Sequence, residues 1–216
     1  MTTATGTVGA VLLAAGGSRR LGRPKQLLEL DGRSFARRAA DTLIASRARP
    51  LVAVLGAEAG AVAATLPAEL PTVVNANWQA GQSTSIRAGL DALLDAADRP
   101  VDGVLFVPCD QPALTAATLD RSIGALRDAD STEHIVVPVY GSDRRRSAPV
   151  LFGRPFFEAL RALTGDTGGR TLLRAFADRV IELRIDDGEQ AADVDTVEDW
   201  RRIESLATPH EPFRTD

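Results

Sequence analysis

The sequence has little of several features that define other classes of protein. Its 216 residues include one cysteine, Cys109, so no disulfide can form within the chain, and a reducing compartment is expected. No apolar run approaches the roughly 20 residues that a membrane helix needs. The net charge is −4, which disfavours an electrostatic nucleic-acid binder. These absences predict a cytoplasmic protein with no membrane and no nucleic-acid partner.

The composition is that of a globular protein, and the pattern along the chain is that of an α/β fold. Hydrophobic residues make up 44% of the chain and charged residues 25%, and the length is sufficient to bury a core. Short apolar runs alternate with helical patterns up to about residue 130. The predicted strands are 8–14, 50–56, 72–75 and 101–108, and the predicted helices are 35–46, 57–66, 83–97 and 116–129. This alternation predicts a doubly wound (Rossmann-like), mostly parallel sheet with helices on both faces.

The alternation of single strands and helices ends after about residue 130. Residues 134–141 and 148–153 read as an antiparallel pair of strands that is appended to the parallel sheet. Helical segments at 155–163 and 169–178, a strand at 180–185 and a helix from Val197 follow. We predict one α/β domain over residues 1–206 with a small antiparallel extension, and a loose tail over residues 207–216.

A glycine pair ends the first predicted strand, in "VLLAAGGSRRLGRPKQLL". The dinucleotide fingerprint requires G-x-G-x-x-G, but Gly16 and Gly17 are adjacent and position 18 is serine. That failure disfavours an NAD-dependent oxidoreductase. Gly17 and Gly22 have the spacing of a P-loop, but Arg23-Pro24 stands where lysine and the Mg²⁺-binding hydroxyl belong.

The same loop is strongly basic. Arg19, Arg20, Arg23 and Lys25 place four cations within seven residues. A solvated surface loop is one interpretation. A phosphate site is favoured, because the cations lie beside a glycine pair at a strand end, where backbone N–H groups can bind an anion.

Acidic residues follow a second buried strand and precede the last helix. Asp110, in "VLFVPCDQP", suits a Mg²⁺ ligand, although it also suits a turn or a helix cap. In "DVDTVEDW", Thr196 and Asp199 form a predicted capping box. Asp193 and Asp195 precede that cap and remain available to a metal.

Two further segments suit ligand binding. In "NANWQAGQSTSIRAGL", Gly81 permits close backbone approach and Ser85 lies near a predicted helix N-terminus; an ordinary serine cap with Trp78 in the core is the alternative. In "LTGDTGGRTLL", Gly168, Gly169 and Arg170 suit a second phosphate, and a simple glycine turn suits them equally.

The remaining polar residues give weaker signals. Arg144 to Arg146 suit an acidic acceptor or an exposed hairpin turn. His134, His210 and Cys109 occur in no recognisable nucleophile arrangement.

Together these segments resemble the MobA-like NTP transferases, and within them the molybdenum cofactor cytidylyltransferase branch. The matching segments are 8–30, 75–90, 104–112, 148–173 and 193–200, in family order. Ala15 stands where the guanylyl branch commonly has glycine. The chain departs from the family at Val197, where proline is usual, and at Ser147-Ala148-Pro149, where G-H-P is usual. The second departure leaves the acceptor open.

The resemblance implies a role for each matching residue. Arg20 and Lys25 would hold phosphates. Asp110 would bind Mg²⁺ together with Asp193 or Asp195, and of these two Asp193 is slightly favoured as the metal ligand. Catalysis is thereby assigned to Lys25, Arg20 and Asp110. The implied nucleotide-binding residues are Leu13, Ala14, Ala15, Gly16, Gly17, Lys25, Gly81 and Ser85. The implied acceptor-binding residues are Asp166, Gly168, Gly169 and Arg170.

The implied reaction moves CMP from CTP onto the phosphate of molybdenum cofactor and releases pyrophosphate. A phosphate monoester is already anionic, so no general base is needed. The alternatives are a transferase that uses GTP or another NTP with a different acceptor, and a non-catalytic nucleotide-binding or chaperone-like partner of a molybdoenzyme. The resemblance also implies a molybdoenzyme or its maturation factor as a partner of the enzyme.

Overall fold

The computed structural model describes residues 7–18, 23–129 and 131–207. The strands are β1 (Thr7–Ala14), β2 (Glu29–Leu30), β3 (Arg33–Ser34), β4 (Leu51–Leu55), β5 (Thr72–Val74), β6 (Val101–Pro108), β7 (Ile135–Tyr140), β8 (Arg145–Arg146), β9 (Val150–Gly153) and β10 (Val180–Ile185). The helices are α1 (Phe35–Ala45), α2 (Ala59–Ala63), α3 (Gln82–Asp95), α4 (Ala116–Asp128), α5 (Phe157–Arg161), α6 (Arg170–Ala175) and α7 (Val197–Ala207).

The main sheet is mostly parallel, which confirms the predicted fold class. Its strand order is β10-β7-β9-β6-β1-β4-β5, with β8 paired to β7. Strands β6, β1, β4 and β5 are mutually parallel, and β10 is parallel to β7. The predicted antiparallel pair, β7 and β9, is present but is built into the sheet, because β9 also pairs antiparallel to β6.

Helices pack on both faces of this sheet. On one face α1 and α4 contribute Leu43, Leu119 and Ile123 to a core with Leu12 of β1. On the other face Ile86 and Leu90 of α3 pack with Val11 and Val54. Helix α3 lies so close that a β-carbon at Gly89 would be 2.4 Å from Cγ1 of Val11. Strand β1 is therefore covered on both sides, which explains its continuous apolar sequence.

The register of β1 and β6 positions the site. Leu13 of β1 pairs with Pro108 of β6 in a parallel ladder. The residues that follow both strands therefore emerge side by side at the carboxyl edge of the sheet, where open α/β sheets bind ligands. The loop from Ala15 and the segment at Cys109-Asp110 are neighbours for this reason.

The first hairpin follows from local sequence chemistry. Asp31 and Gly32 have φ of 52° and 70°, the left-handed pair that a tight two-residue hairpin requires, and they join β2 to β3. The side chain of Ser34 accepts a hydrogen bond from the backbone N–H of Arg37, so Ser34 is the N-cap of α1.

Other helices are shorter than the sequence predicts. Helix α2 begins only at Ala59, because Glu58 adopts φ 52° and Gly56 still bridges to Glu58. The segment 155–163 is a 3₁₀ turn followed by the five-residue α5, and 169–178 contains the six-residue α6. Helix α7 runs to Ala207, and residues 208–216 of the predicted tail lie outside the described residues. Across the described ranges, none of the helices combines the length and the apolar character needed to cross a membrane.

Candidate active site

Lys25 links the loop after β1 to two carboxylates. Its ammonium contacts Oδ2 of Asp110, which follows β6, and lies 3.1 Å from Oδ1 of Asp195, which precedes α7. The Lys25 side chain is 18% exposed, so this ion pair is partly withdrawn from water. Residues far apart in the sequence, all of them predicted site residues, therefore meet at one point.

The electrostatics at this point keep Lys25 charged. Burial acts to lower its pKa, but the charge of Asp110 and the hydrogen bond to it outweigh burial, so the pKa of Lys25 lies above its usual range. Nearby, burial and the negative charge of Asp110 raise the pKa of Asp193, and the charge of Asp195 acts in the same direction. Three carboxylates thus share one region of negative potential.

A buried glutamine holds the glycine loop in place. Nε2 of Gln26 donates hydrogen bonds to the carbonyl oxygens of Ala14, at 3.0 Å, and Gly16, at 2.6 Å. The hydroxyl oxygen of Ser18 accepts a hydrogen bond of 2.8 Å from the backbone N–H of Lys25. These bonds fix Lys25 relative to the end of β1. Sequence reasoning missed Gln26, since a single glutamine after Lys25 forms no pattern.

Replacing Gln26 by methionine is expected to lower the free energy of unfolding by about 2 kcal/mol, because two loop carbonyls lose their donor while the volume is kept. Urea denaturation followed by circular dichroism measures the change. Gln79→Met is the matched control: Gln79 is exposed and its side chain makes no hydrogen bond within the described ranges, so the effect of this substitution should stay within about 0.5 kcal/mol. Equal stability of the two variants would contradict the anchoring role of Gln26.

A cleft of about 500 Å³ opens above the glycine loop. It brings together most of the residues assigned to the nucleotide: Leu13, Ala15, Gly16, Gly17, Lys25, Gly81 and Ser85. Asp110 also lines it. Ala14 is the exception, because its side chain belongs to the core on the opposite side of β1.

Trp78 forms a wall of this cleft. A β-carbon at Gly17 would lie 2.7 Å from its indole ring, so glycine is needed there for the loop to pass beneath the ring. Trp78 is half-buried and packs partly against the core. It therefore serves both the core, as one interpretation held, and the cleft.

The N-terminus of α3 is capped from another loop. Gly81, with φ 112°, is its N-cap, and a β-carbon there would be 2.3 Å from the backbone of Gly165. The backbone N–H of Gln82 donates to Oδ1 of Asp166 at 3.3 Å, and the hydroxyl of Ser83 donates to the carbonyl of Gly165 at 2.7 Å. The alternative of a serine cap is thus wrong. Asp166, assigned to the acceptor, caps this helix.

Ser85 lies one turn into α3. It is buried, and its hydroxyl oxygen accepts a hydrogen bond of 3.0 Å from Nδ2 of Asn75. Because a hydroxyl also carries one hydrogen of its own, Ser85 can still donate into the cleft that it lines.

A second cleft of about 590 Å³ adjoins the first. Its lining includes the predicted acceptor residues Asp166, Gly168, Gly169 and Arg170, together with Asp193. Packing accounts for both glycines: a β-carbon at Gly168 would lie 2.3 Å from Oε1 of Gln82, and one at Gly169 would lie 2.7 Å from Phe152. The two clefts share Leu13, Gln82, Pro108, Asp110 and Asp166, so Asp110 stands where they meet.

The two aspartates before α7 have different partners. Asp193 accepts a hydrogen bond of 2.8 Å from Nε2 of Gln111 and lies 3.3 Å from Arg145, whereas Asp195 faces Lys25. The predicted capping box is confirmed, since Asp199 accepts from the backbone of Thr196 at 2.9 Å and donates its own N–H to the Thr196 hydroxyl at 3.1 Å. The order of Asp193 and Asp195 as metal ligands stays a prediction.

The positive charges of the arginine hairpin, Arg144 to Arg146, are partly neutralised. Arg144 and Arg146 both lie 2.6 Å from Glu182 of β10, and Arg145 pairs with Asp193. Three cations thus face two carboxylates, which favours the hairpin-turn interpretation for Arg144 and Arg145. Arg146 nevertheless lines the second cleft.

Arg20, predicted to hold phosphates with Lys25, lies outside the described residues. Among the side chains that the structure describes, no group of three or more histidine, cysteine, aspartate or glutamate residues is arranged to hold a metal by itself. Any divalent ion here would need ligands from the substrate, which is the usual manner of Mg²⁺ beside phosphates.

Comparison with known families gives an extended match. A family model described as "MobA-like NTP transferase domain" matches residues 10–180. A protein of Paenarthrobacter nicotinovorans named nicotine blue oxidoreductase is 35% identical over 204 residues, which cover 91% of this chain and 96% of that protein.

Two further relatives are more distant. The purine catabolism protein PucB of Bacillus subtilis (strain 168) is 26% identical, with 89% of this chain and 94% of that protein covered. A probable molybdenum cofactor guanylyltransferase of Rhodopirellula baltica is 29% identical over 142 residues, which cover 65% of this chain and 64% of that protein.

Solved structures share the fold over nearly the whole length. A mycobacterial homologue of Rv0371c, from strain JC1, has a TM-score of 0.78 and 29% identity, with 93% of this chain and 96% of that chain covered. Rv0371c of Mycobacterium tuberculosis H37Rv, in complex with manganese, has a TM-score of 0.74 and 30% identity, with 93% and 98% covered.

Proposed function

The chain belongs to the MobA-like NTP transferase family, and within that class of nucleotidyltransferase we propose that it moves CMP from CTP onto the phosphate of molybdenum cofactor, with release of pyrophosphate. The relative named a probable molybdenum cofactor guanylyltransferase supports an acceptor of this kind. A molybdoenzyme or its maturation factor is the proposed recipient of the product.

One observation carries the proposal. The cleft above the glycine loop and the cleft beside the arginine hairpin meet at Asp110, where Lys25 is held. A transferase needs two substrate sites that share one reacting point, and in this arrangement the α-phosphorus of a nucleotide and the phosphate of an acceptor can approach each other. A protein that only bound a nucleotide would need the first cleft alone.

The proposed step needs alignment and charge neutralisation. An oxygen of the acceptor phosphate forms a bond to the α-phosphorus, and the bond between the α-phosphorus and the bridging oxygen breaks, its electron pair leaving with pyrophosphate. Lys25, kept as an ammonium by its carboxylate partners, offsets negative charge in the transition state. Arg20 is proposed to assist it.

No side chain is needed as nucleophile or general base. The attacking oxygen is already anionic, so it has no proton to lose. Cys109 is buried beside the cleft, and burial together with the charge of Asp110 raises the pKa of its thiol to about 12, so it is not a thiolate at neutral pH. Transfer directly between the two substrates fits these properties.

The carboxylates fit a hard divalent cation. Asp110, Asp193 and Asp195 offer oxygen donors, and burial together with the negative charge of Asp110 raises the pKa of Asp193. We propose that Asp110 and one of the other two hold Mg²⁺ together with substrate phosphates. Bound there, the ion would neutralise phosphate charge and polarise the α-phosphorus. The manganese complex of Rv0371c supports a divalent metal in this fold.

The choice of nucleotide is tested by binding. In a calorimetric panel of CTP, GTP, ATP and UTP, each with Mg²⁺, we expect CTP to bind at least about tenfold more tightly than the others, a difference of about 1.4 kcal/mol. GTP is the main competitor, because one relative is named a guanylyltransferase. Preference for GTP, or no preference, would remove the cytidylyl assignment while leaving the family assignment intact.

A relative named an oxidoreductase raises a second candidate, hydride transfer. The glycine loop lacks the dinucleotide fingerprint, and an ion pair between Lys25 and two carboxylates has no evident part in moving a hydride. Adding NADH and NADPH to the same panel decides the matter. Binding of either cofactor in place of NTPs would favour the oxidoreductase.

A further inference from the structure

We propose that Ser147 binds the acceptor, its hydroxyl donating a hydrogen bond to the acceptor's phosphate, and that Gln111 is the positioning residue that directs this hydroxyl. The proposal rests on the proposed function, which supplies a phosphate monoester as acceptor. It assigns a role to two residues that the motif comparison left without one.

Gln111 is held in one orientation. It is 3% exposed, and its Nε2 donates to two partners, Oδ1 of Asp193 at 2.8 Å and Oγ of Ser147 at 3.0 Å. The opposite orientation of the amide would place Oε1 against the Asp193 carboxylate, an unfavourable contact between two acceptors. The carboxylate at position 193 therefore decides which amide atom faces Ser147.

The orientation of Gln111 determines what Ser147 can do. A serine hydroxyl has one hydrogen and two lone pairs, and here one lone pair accepts from Gln111. The hydrogen therefore points away from Gln111. Within the ranges that the structure describes, no protein acceptor receives this hydrogen, and Ser147 lines the second cleft. The network leaves a directed donor at the wall of that cleft.

The surroundings of this donor suit an anion attached to a flat or apolar group. Arg170 and Arg174 line the same cleft, and neither forms an ion pair in the part of the chain that the structure describes. The cleft is also lined by Phe106 and Phe152, whose rings meet edge to face at 6.1 Å. The carboxylates of Asp110, Asp166 and Asp193 line this cleft as well, and a neutral hydroxyl there adds a hydrogen bond to a phosphate without adding charge.

The backbone hydrogen bond at position 147 does not require a serine side chain. The backbone N–H of Ser147 donates to the carbonyl of Pro138 at 3.2 Å, and this bond survives any substitution except proline. Alanine at position 147 is therefore expected to keep the loop in place and to remove the hydroxyl alone.

The test measures binding of molybdenum cofactor to the full-length protein by calorimetry, without nucleotide. We expect Ser147→Ala to weaken binding about tenfold, the usual loss for one hydrogen bond to a charged group. Ser147→Thr should restore most of the affinity. Ser142→Ala is the matched control, since Ser142 is exposed on the same hairpin and does not line the cleft. With dephosphorylated cofactor, wild type and Ser147→Ala should bind equally.

The outcomes separate this proposal from the proposed function. Equal affinity of wild type and Ser147→Ala for the phosphorylated cofactor, or an equal loss for the dephosphorylated form, overturns the role of Ser147. Gln111→Met should weaken binding about threefold alone and not at all in the Ser147→Ala background. A further loss there overturns the positioning role. Tight binding with the expected Ser147 effect, but without pyrophosphate release on adding any NTP, would refute the transferase and leave this site standing.

Discussion

Replacing Asp110 by asparagine is expected to lower the rate of acceptor-dependent pyrophosphate release by about 10³-fold. The substitution keeps the shape of the side chain but removes the charge at the junction of the two clefts, where Lys25 is held. It also removes the proposed metal ligand. A coupled assay of pyrophosphate release at saturating NTP measures the effect on kcat.

Asp102→Asn is the matched control for this change. Asp102 belongs to the same strand, β6, but its partner is Arg154 at 3.5 Å, and it lines neither cleft. Its rate should stay within about twofold of wild type, as for most surface substitutions. A rate for Asp110→Asn close to that of this control would show that the reaction does not pass through the junction, and the mechanism would then be wrong.

Lys25→Ala is expected to lower kcat by about 10² to 10³-fold and to weaken NTP binding as well. The ammonium is the charge that the glycine loop brings to the phosphates, and its loss also leaves Asp110 and Asp195 facing each other without the cation between them. Lys25→Arg should not restore the rate, because a planar guanidinium cannot take the position of a compact ammonium between two carboxylates. Single-turnover rates and nucleotide titrations separate the two effects.

Arg23→Ala tests whether any cation in this loop would suffice. Arg23 is exposed and lies two residues before Lys25. The Arg23→Ala variant should keep a kcat within about threefold of wild type, since an exposed charge is screened by solvent and salt. Comparable losses for Arg23→Ala and Lys25→Ala would mean that the loop acts through its overall charge and not through the ion pair.

Much of the fold could be predicted from the sequence because its signals are local or strongly periodic. Strand β1 and residues 103–108 of β6 are apolar runs. Ser34 and Thr196 each cap the helix that begins just after the serine or threonine. The insertion of β9 between β6 and β7 could not be predicted, because strand pairing across a sheet depends on contacts far apart in the chain. The same short runs fit an appended hairpin equally well.

The site also has residues that the sequence reveals and residues that it does not. Asp110 and Lys25 could be identified because they stand in motifs at strand ends, and the parallel register of β1 and β6 brings those ends together. The sequence did not reveal the roles of Gln26 and Gln111 or the cap that Asp166 provides. Asp166 caps a helix whose first residue lies 84 positions earlier, and a lone polar side chain gives no sign of so distant a partner.

Because lysine is rare in this chain, Lys25 can be followed by chemical modification. It is the single lysine of the chain, and the other 24 basic residues are arginine. An acylating reagent that modifies amines therefore finds one side-chain amine, apart from the α-amino group of the chain. While the carboxylates hold that amine in its protonated form, acylation is slow, and a ligand that draws it away from them changes the rate. The native protein thus carries a chemical reporter at the centre of its candidate active site, without any introduced label.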